Sequence, residues 1–178
     1  PLSLIGGMVA AAVVTGNSIV CKPSSDSPIV AYKFVELCEK AGIPAGVVNY
    51  IPGSGSDIGD YIVEHPLTRF INFTGSKAIG CRINEHAAKI SKGQKWIKRV
   101  VAEMGGKNAI IVDSSANIKK AAQGIANSAF TFQGQKCSAC SRAIVLADVY
   151  DEFGDEVVKC AAELKANQGS GESNATMG

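Results

Sequence analysis

The sequence predicts an α/β protein in which mostly parallel strands alternate with helices. Short apolar runs of strand length alternate with longer segments whose apolar residues recur every three or four positions. The connections are rich in Gly, Pro, Ser and Asn, which favour turns. At 178 residues and 46% hydrophobic content, the chain can bury one core, or one core and part of a second.

The first elements follow from apolar patterning and from residues that begin or end helices. Residues 2–14 are apolar and small, which predicts a buried helix, and residues 18–22 form a short apolar strand. Ser27 and Pro28 begin the next helix as N-cap and first helical residue, and Gly42 ends it. The apolar spacing places these residues on its core side: Ile29, Val30, Phe34, Leu37, Cys38 and Ala41.

The same alternation continues to the end of the chain. The predicted strands are 46–51, 68–73, 96–102, 109–112 and 142–146, and the predicted helices are 57–64, 76–91, 116–129 and 148–166. Strand–helix repeats of this kind are joined by right-handed crossovers. They predict a Rossmann-like, mostly parallel sheet with helices on both faces, followed by the start of a second α/β domain.

Composition excludes several classes of function. The net charge is only +2, and Lys and Arg are scattered without a basic block, which argues against nucleic-acid binding. The six cysteines lie in apparently regular segments, so reduced cytosolic thiols and a cytoplasmic location are expected. The apolar opening has no basic flank and is too short for a membrane span. Beginning without Met, the chain resembles a piece of a longer protein.

Cys137 is the candidate nucleophile. It lies among small and polar residues in a segment without helical or strand periodicity, as expected for an accessible loop thiol. Upstream, Glu103 is followed by Gly105 and Gly106, which leave the backbone open to a ligand. A thiol paired with an acid and no obligatory His suits oxidation better than amide hydrolysis. The alternative for Glu103 is an ordinary surface acid at a strand end.

Cys137 and Cys140 also form a Cys-x-x-Cys pair with two competing interpretations. A zinc site needs further ligands, and the only histidines, His65 and His86, lie on predicted helices without ligand spacing. A thioredoxin-like redox pair would begin a helix directly after the first strand, which this pair does not. No metal site is therefore predicted, and Cys140 is interpreted as a packing residue.

Three segments at predicted strand ends are candidates for binding a nucleotide. Residues 73–80 place Gly75 and Ser76 before a helix, which suits a diphosphate, although an ordinary strand-to-helix turn has the same pattern. Residues 53–59 form a glycine–serine loop bordering the ligand. Lys22, followed by Ser24 and Ser25, can hold ribose hydroxyls or a phosphate, or can be a solvated charge. Ligands in such folds bind at the carboxyl ends of strands.

Together these motifs resemble the aldehyde dehydrogenase superfamily, in segments 22–25, 73–80, 103–108 and 132–137. Segments 93–107 and 135–142 further resemble the 1-pyrroline-5-carboxylate dehydrogenase branch, which oxidises glutamate γ-semialdehyde to glutamate in proline breakdown. The resemblance covers all 178 residues. It implies that residues 1–105 are the C-terminal part of an NAD(P)-binding domain and residues 106–178 the N-terminal part of the catalytic domain.

The resemblance also implies roles for single residues. Cys137 attacks the aldehyde, Glu103 activates the water that hydrolyses the thioester, and Lys136 and Ser138 help to hold the substrate carboxylate. NAD or NADP is the implied cofactor, with contacts from Lys22, Ser24, Gly53, Thr74, Gly75, Ser76, Gly80, Met104 and Gly105. Ser25 stands where NAD-selective relatives commonly carry an acid, so NADP is expected to be tolerated.

Departures from the family pattern limit these expectations. Family members are much longer and oligomeric, and the resemblance places the oxyanion-binding Asn just before this chain and a cofactor-binding Glu after it. Because oxyanion donors are worth roughly a hundredfold or more in rate, the isolated chain is expected to show little turnover. The alternative is a non-catalytic nucleotide-binding or assembly module that retains the motifs.

Overall fold

The computed structural model describes residues 2–166 and divides the chain into two compact units, Pro1–Glu103 and Met104–Gly178. The first unit ends where a strand ends, two residues before the boundary expected from the sequence. The roles assigned to the two parts remain predictions.

Over the described residues 2–103, the first unit contains four helices and two parallel strand pairs. Its helices are α1 (Leu2–Val14), α2 (Pro28–Lys40), α3 (Asp60–Glu64) and α4 (Lys77–Ala88), with a π-helical turn at Gly55–Gly59 before α3. Its strands are β1 (Ile19–Cys21), β2 (Val48–Tyr50), β3 (Phe70–Thr74) and β4 (Arg99–Glu103). β1 pairs with β2, and β3 pairs with β4 in a register that sets Thr74 opposite Glu103.

The second unit packs two helices against a third parallel pair. Its elements are β5 (Asn108–Val112), α5 (Ile118–Phe130), β6 (Cys140–Val145) and α6 (Tyr150–Ala162), with 3₁₀ turns at Thr131–Gly134 and Ala147–Val149. Among the described residues 104–166, its main hydrophobic cluster contains five buried residues, Val112, Ala122, Ile125, Cys140 and Phe153. Helix α6 ends four residues earlier than the sequence pattern predicts.

The predicted α/β class with parallel strands is confirmed, and the strands and helices follow in the predicted order. The strand pairing differs in one respect. Among residues 2–166 the strands form three two-stranded sheets instead of one continuous sheet. Each pair is joined through a helical connection, as parallel strands require.

The predicted core side of α2 was right in part: Cys38 is buried and Phe34 half-buried, but the other predicted core residues are exposed. The helix buries Ala31, Val35 and Cys38, whereas Ile29 and Leu37 are 72% and 59% exposed. Apolar residues occupy such a wide arc of α2 that two neighbouring stripes share the helical spacing, and periodicity cannot choose between them. Pro28 begins the helix as predicted, but Ser27 makes no side-chain capping hydrogen bond.

The short helix α3 is held at its C-terminal end by side chains from later segments. Thr68 Oγ1 donates to the carbonyl of Ile62 at 2.7 Å, and Ser91 Oγ donates to that of Glu64 at 2.6 Å. Lys98 Nζ donates to the carbonyl of Val63 at 2.6 Å. Lys98 is only 6% exposed, and its burial lowers the pKa of the ammonium group. These bonds satisfy carbonyls that a helix end leaves without intrahelical partners.

The lengths of the helices bear on the question of membrane insertion. Within residues 2–166, no helix is both long and apolar enough to cross a bilayer.

Candidate functional site

Cys137 lies on an exposed turn between α5 and β6. The turn spans residues 136–139, and the backbone N–H of Ala139 donates to the carbonyl of Lys136 at 3.2 Å. Immediately afterwards Cys140 begins β6 and is buried in the core of the second unit. The predicted loop position of Cys137 and packing position of Cys140 are therefore both present in the structure.

A left-handed backbone segment leads into this turn. Phe132, Gln133 and Gly134 have φ values of 56°, 56° and 69°, although only the third is a glycine. A Cβ atom at Gly134 would lie 2.9 Å from the carbonyl oxygen of Ala129, so glycine is also required for space. Left-handed conformations of ordinary L-residues are costly and cluster at functional sites. The strain here lies directly before the candidate nucleophile.

The carbonyl group of Cys137 is held by the start of β5. Asn108 Nδ2 donates to this carbonyl at 2.8 Å. A Cβ atom at Gly106 would lie 2.7 Å from the same oxygen, closer than real Cβ contacts permit. Arg142 Nη2 donates to the carbonyl of Lys107 at 2.6 Å, which ties the segment before β5 to β6. Cys137 thus has a free side chain and a fixed backbone.

Glu103 is exposed at the end of β4 and lies beside the strand-to-helix turn after β3. Its backbone carbonyl accepts a hydrogen bond from the N–H of Gly75 at 3.0 Å. Thr74 is its register partner, and Thr74 Oγ1 lies 3.6 Å from the sulfur of Met8. The structure therefore brings together three of the predicted residues at the carboxyl end of one strand pair.

Gly75 and Ser76 form the turn between β3 and α4. A Cβ atom at Gly75 would lie 2.5 Å from Cζ of the Phe73 ring, so a larger residue here would have to displace that ring. Ser76 is the N-cap of the 12-residue helix α4, and its hydroxyl accepts a hydrogen bond from the N–H of Ile79 at 3.4 Å. Gly80 is buried in the same helix, and its N–H donates to the carbonyl of Ser76.

Lys22 and Gly53 are brought together at the carboxyl end of the β1–β2 pair. Lys22 Nζ donates to the carbonyls of Pro23 at 2.9 Å and Gly53 at 3.3 Å. Ser24 and Ser25 are exposed beside it, and Ser24 Oγ accepts a hydrogen bond from a backbone N–H. The Lys22 ammonium is therefore hydrogen-bonded to backbone carbonyls and half-buried. It is neither a fully solvated surface charge nor a fully buried one.

The loop that follows Gly53 carries a carboxylate, that of Asp57. The hydroxyls of Ser54 and Ser56 hydrogen-bond to Asp57 and hold the pKa of its carboxyl below the usual range. A Cβ atom at Gly53 would lie 2.7 Å from Cδ1 of Ile58, so a larger residue here would have to displace that side chain.

The two predicted substrate residues flank Cys137 on the exposed turn. Lys136 places its ammonium 5.3 Å from the centre of the Phe132 ring, within the range of a cation–π interaction. Ser138 is exposed. Met104 is half-buried and Gly105 is exposed in the link between β4 and β5. The structure describes these positions, and their contacts with a substrate or cofactor remain predictions.

The Cys-x-x-Cys pair divides between surface and core, because Cys137 is exposed and Cys140 is buried. Across residues 2–166, no cluster of three His, Cys, Asp or Glu side chains is placed to hold a metal ion. His86 Nδ1 lies 2.8 Å from Oε1 of Glu64, and His65 forms the C-cap of α3. Both histidines thus belong to the α3–α4 region.

Sequence reasoning missed the role of two residues, Gly106 and Asn108, that contact the turn at residues 136–139, called here the nucleophile turn. Both lie in the glycine-rich segment after Glu103, where the sequence pattern suggested an open backbone for a ligand. The second glycine instead makes room for the carbonyl of Cys137. The sequence feature that could have indicated this contact is the pair of glycines with an amide side chain shortly after it. The group that these residues contact is a backbone carbonyl about thirty residues later, and a backbone carbonyl leaves no pattern in the sequence.

Comparisons with known proteins agree on one family. Residues 1–178 match the sequence profile of the aldehyde dehydrogenase family. A 1-pyrroline-5-carboxylate dehydrogenase of Geobacillus thermodenitrificans (strain NG80-2) is 59% identical over 164 residues, which are 92% of this chain and 32% of that protein. The corresponding protein of Anoxybacillus flavithermus (strain DSM 21510 / WK1) is 58% identical over 165 residues, 93% of this chain and 32% of that protein.

Solved structures give the same result. A 1-pyrroline-5-carboxylate dehydrogenase from Thermus with bound NAD matches 93% of this chain and 32% of that chain, with a TM-score of 0.85 at 46% identity. Proline utilization A from Bdellovibrio bacteriovorus matches 99% of this chain and 18% of that chain, with a TM-score of 0.89 at 46% identity. The chain spans about a third of the length of the curated relatives it matches.

Proposed function

Because the chain belongs to the aldehyde dehydrogenase family, we propose that it carries the nucleophile and most of the cofactor contacts of an NAD(P)-dependent aldehyde dehydrogenase. The observation that carries the proposal is the exposed Cys137 thiol on a turn whose backbone is fixed. In this proposal, residues 1–105 belong to the cofactor-binding part and residues 106–178 to the catalytic part.

The residues at the strand ends fit a dinucleotide. Ser76 caps a 12-residue helix whose first-turn N–H groups and dipole favour a diphosphate, and Gly75 keeps the approach free of a side chain. Lys22 is half-buried at the carboxyl end of the β1–β2 pair, where its ammonium can also donate to ribose hydroxyls. The further contacts proposed are Ser24, Gly53, Thr74, Gly80, Met104 and Gly105. When bound, NAD or NADP supplies the acceptor for the hydride that the substrate loses.

The protein residues supply the covalent chemistry. The thiolate of Cys137 adds to the aldehyde carbon, and the oxygen of the former carbonyl takes the negative charge. Loss of hydride from that carbon leaves a thioester on Cys137. Glu103 takes a proton from water, the resulting hydroxide adds to the thioester carbon, and the C–S bond breaks to release the carboxylic acid and the thiolate.

The first test is aldehyde oxidation by the protein expressed from the complete reading frame that contains this sequence. Glutamate γ-semialdehyde and NAD are supplied, and NADH is followed by its absorbance. Cys137→Ala is expected to lower kcat at least about a thousandfold because it removes the nucleophile, while NAD binding is retained. Cys81→Ala, a change at an exposed thiol on α4, is the matched control and is expected to leave kcat unchanged.

Two outcomes would reject the enzyme proposal. Oxidation that persists in Cys137→Ala would remove Cys137 from the role of nucleophile. Nucleotide binding without oxidation of any aldehyde by the unmutated protein would favour the non-catalytic module instead.

We further propose that the substrate is glutamate γ-semialdehyde, formed from 1-pyrroline-5-carboxylate. This rests on the names of the relatives, which are 1-pyrroline-5-carboxylate dehydrogenases, and on the cation and hydroxyl beside the nucleophile. Lys136→Met and Ser138→Ala are expected to raise KM for this substrate roughly tenfold, because charge-assisted hydrogen bonds to its carboxylate are lost. The KM for propanal, which has no carboxylate, should stay unchanged. An equal effect on both aldehydes would contradict the assignment.

Ser25 is proposed to permit NADP as well as NAD. Its exposed hydroxyl lies three residues after Lys22 and carries no charge that would repel a 2′-phosphate. Titration should give Kd values for NAD and NADP within about tenfold, and Ser25→Glu should weaken NADP binding selectively by roughly tenfold or more through charge repulsion. Binding of NADP a hundredfold weaker than NAD in the unmutated protein would overturn this proposal.

A further inference from the structure

We propose that Asn108 and Gly106 are positioning residues that orient the Cys137 thiol by fixing the backbone carbonyl of the same residue. This inference rests on the proposed role of Cys137 as nucleophile. It concerns residues of the second unit alone, and neither residue is proposed to touch the substrate or cofactor.

The contact begins with the amide of Asn108. Its Nδ2 donates to the Cys137 carbonyl at 2.8 Å, a normal length for a hydrogen bond. Asn108 is the first residue of β5, and its register partner is Cys140, the first residue of β6. The donor and the end of the turn are therefore fixed by the same parallel strand pair.

Gly106 provides the space into which that carbonyl points. A Cβ atom there would lie 2.7 Å from the Cys137 oxygen and 3.3 Å from Nδ2 and Oδ1 of Asn108. The φ of Gly106 is not in the left-handed region. Glycine is therefore needed at this position for space, and not for the backbone conformation. Any side chain at this position would push the carbonyl away from its donor.

A third contact fixes the segment that carries both residues. The guanidinium of Arg142, in β6, donates to the carbonyl of Lys107 at 2.6 Å. Residues 106–108 are thus tied to β6 on one side and to the nucleophile turn on the other. The left-handed segment at residues 132–134 constrains the turn from its other end.

Fixing the carbonyl of a residue limits rotation about its Cα–C bond and so limits the direction of its Cα–Cβ bond. For Cys137 that bond carries the sulfur atom. The thiol itself is exposed. The geometry of the attack on an aldehyde then depends on the backbone anchor, and a displacement of about 1 Å can cost roughly a hundredfold in rate.

The test uses Asn108→Asp in the protein expressed from the complete reading frame. The carboxylate has the shape of the amide but cannot donate to a carbonyl above its own pKa. We expect kcat per titrated active site to fall roughly ten- to a hundredfold, with KM for the aldehyde within about threefold of the original value. Alkylation of Cys137 by iodoacetamide, followed by peptide mass spectrometry, should change less than about threefold, because this small reagent needs access to the thiol and no fixed angle.

Asn49→Asp is the matched control. Asn49 also donates its amide to backbone carbonyls, those of Ile19 at 3.1 Å and Gly46 at 2.8 Å, but it lies in the first unit. It should leave kcat per active site unchanged. If Asn108→Asp does not fold, Gly106→Ala tests the same carbonyl, with Gly124→Ala as its control because a Cβ atom at Gly124 meets nothing within 4 Å.

The outcomes separate this inference from the proposed function. A fall in the number of titratable sites at unchanged kcat per site would show a purely structural role and overturn the inference. Unchanged kcat in both Asn108→Asp and Gly106→Ala would do the same, while the loss of activity in Cys137→Ala would still support the nucleophile. An unmutated protein that oxidises no aldehyde would overturn both.

Discussion

The core of the second unit and the C-terminal end of α3 in the first unit are stabilised by different means. In the second unit, α5 and α6 cover the β5–β6 pair through an apolar cluster that includes Val112, Ile125 and Phe153. In the first unit, the five-residue helix α3 ends with carbonyls that accept hydrogen bonds from three side chains. Apolar burial holds one region, and satisfied backbone polar groups hold the other.

The difference follows from element length. A helix of 13 residues offers a continuous stripe for burial, whereas a helix of five residues has nearly as many unpaired carbonyls as residues. Loss of a large core side chain should therefore cost more than loss of any single polar contact at α3.

The largest effect is expected from Phe153→Ala in α6. Phe153 is 5% exposed, and removing its ring leaves a cavity in the core, so the free energy of unfolding of the second unit should fall by about 3–5 kcal/mol. Amide hydrogen exchange of α5 and α6, resolved by mass spectrometry, measures the change. Val158→Ala on the same helix, at a residue 69% exposed, should cost less than about 0.5 kcal/mol. Equal effects of the two changes would contradict the packing described.

Lys98→Met should destabilise the first unit by roughly 1–3 kcal/mol, because it leaves the carbonyl of Val63 without its donor while keeping most of the side-chain stem. Trp96, the single tryptophan, lies in the first unit, so its fluorescence during urea unfolding reports this region. The exposed Lys95→Met is the control and should change the unfolding free energy by less than about 0.5 kcal/mol. A stabilised Lys98→Met protein would mean that the desolvation of the ammonium outweighs its hydrogen bond.

Replacement by Ala should lower the free energy of unfolding by different amounts at two serines that precede helices. Ser76 accepts a hydrogen bond from the N–H of Ile79, so Ser76→Ala should cost about 1 kcal/mol. Ser27 makes no capping bond, and Ser27→Ala should cost less than about 0.3 kcal/mol. Urea unfolding followed by Trp96 fluorescence measures both. A larger effect at Ser27 would reverse the assignment of the caps.

The smallest effect concerns the exposed ion pair between Asp60 and Arg82. Hydrogen bonding to Arg82 holds the pKa of the Asp60 carboxyl below its usual value. The pair therefore contributes stability above the unfolded-state value of about 3.9, and this contribution is lost as the pH falls through the lower folded-state pKa. The difference in thermal midpoint between the unmutated protein and Asp60→Asn, followed by Trp96 fluorescence, should shrink below about pH 4. If the difference in thermal midpoint grew as the pH fell, the pKa of Asp60 would not be lowered by folding.

Much of the fold follows from the sequence because strand–helix alternation leaves strong patterns. The bounds of α1 and the start of α2 at Pro28 are as predicted. The buried side of α2 is predicted only in part, with Cys38 buried as expected, because both of its apolar stripes have helical spacing and only tertiary contacts decide between them. The burial of Lys98 has no local signal either, since its partner is a carbonyl 35 residues away.

At the candidate site, the sequence predicts the local position of single residues better than it predicts which residues contact each other. An exposed loop position for Cys137 and a helix start at Ser76 follow from local composition, and the structure contains both. The pairing of Lys22 with the Gly53 carbonyl, and of Asn108 with Cys137, joins segments far apart in the chain. Such contacts depend on strand register, which short motifs do not encode.

The left-handed segment at Phe132–Gly134 has a consequence for the chirality of its amino acids. L-residues disfavour this conformation because Cβ comes too close to the following carbonyl oxygen, whereas the mirror-image residue has the opposite preference. Positions 132 and 133 are thus places where a D-amino acid would suit the backbone better than the natural one. Since ribosomal synthesis offers only L-residues and glycine, Gln133→Gly is the closest encoded substitute for that mirror-image fit.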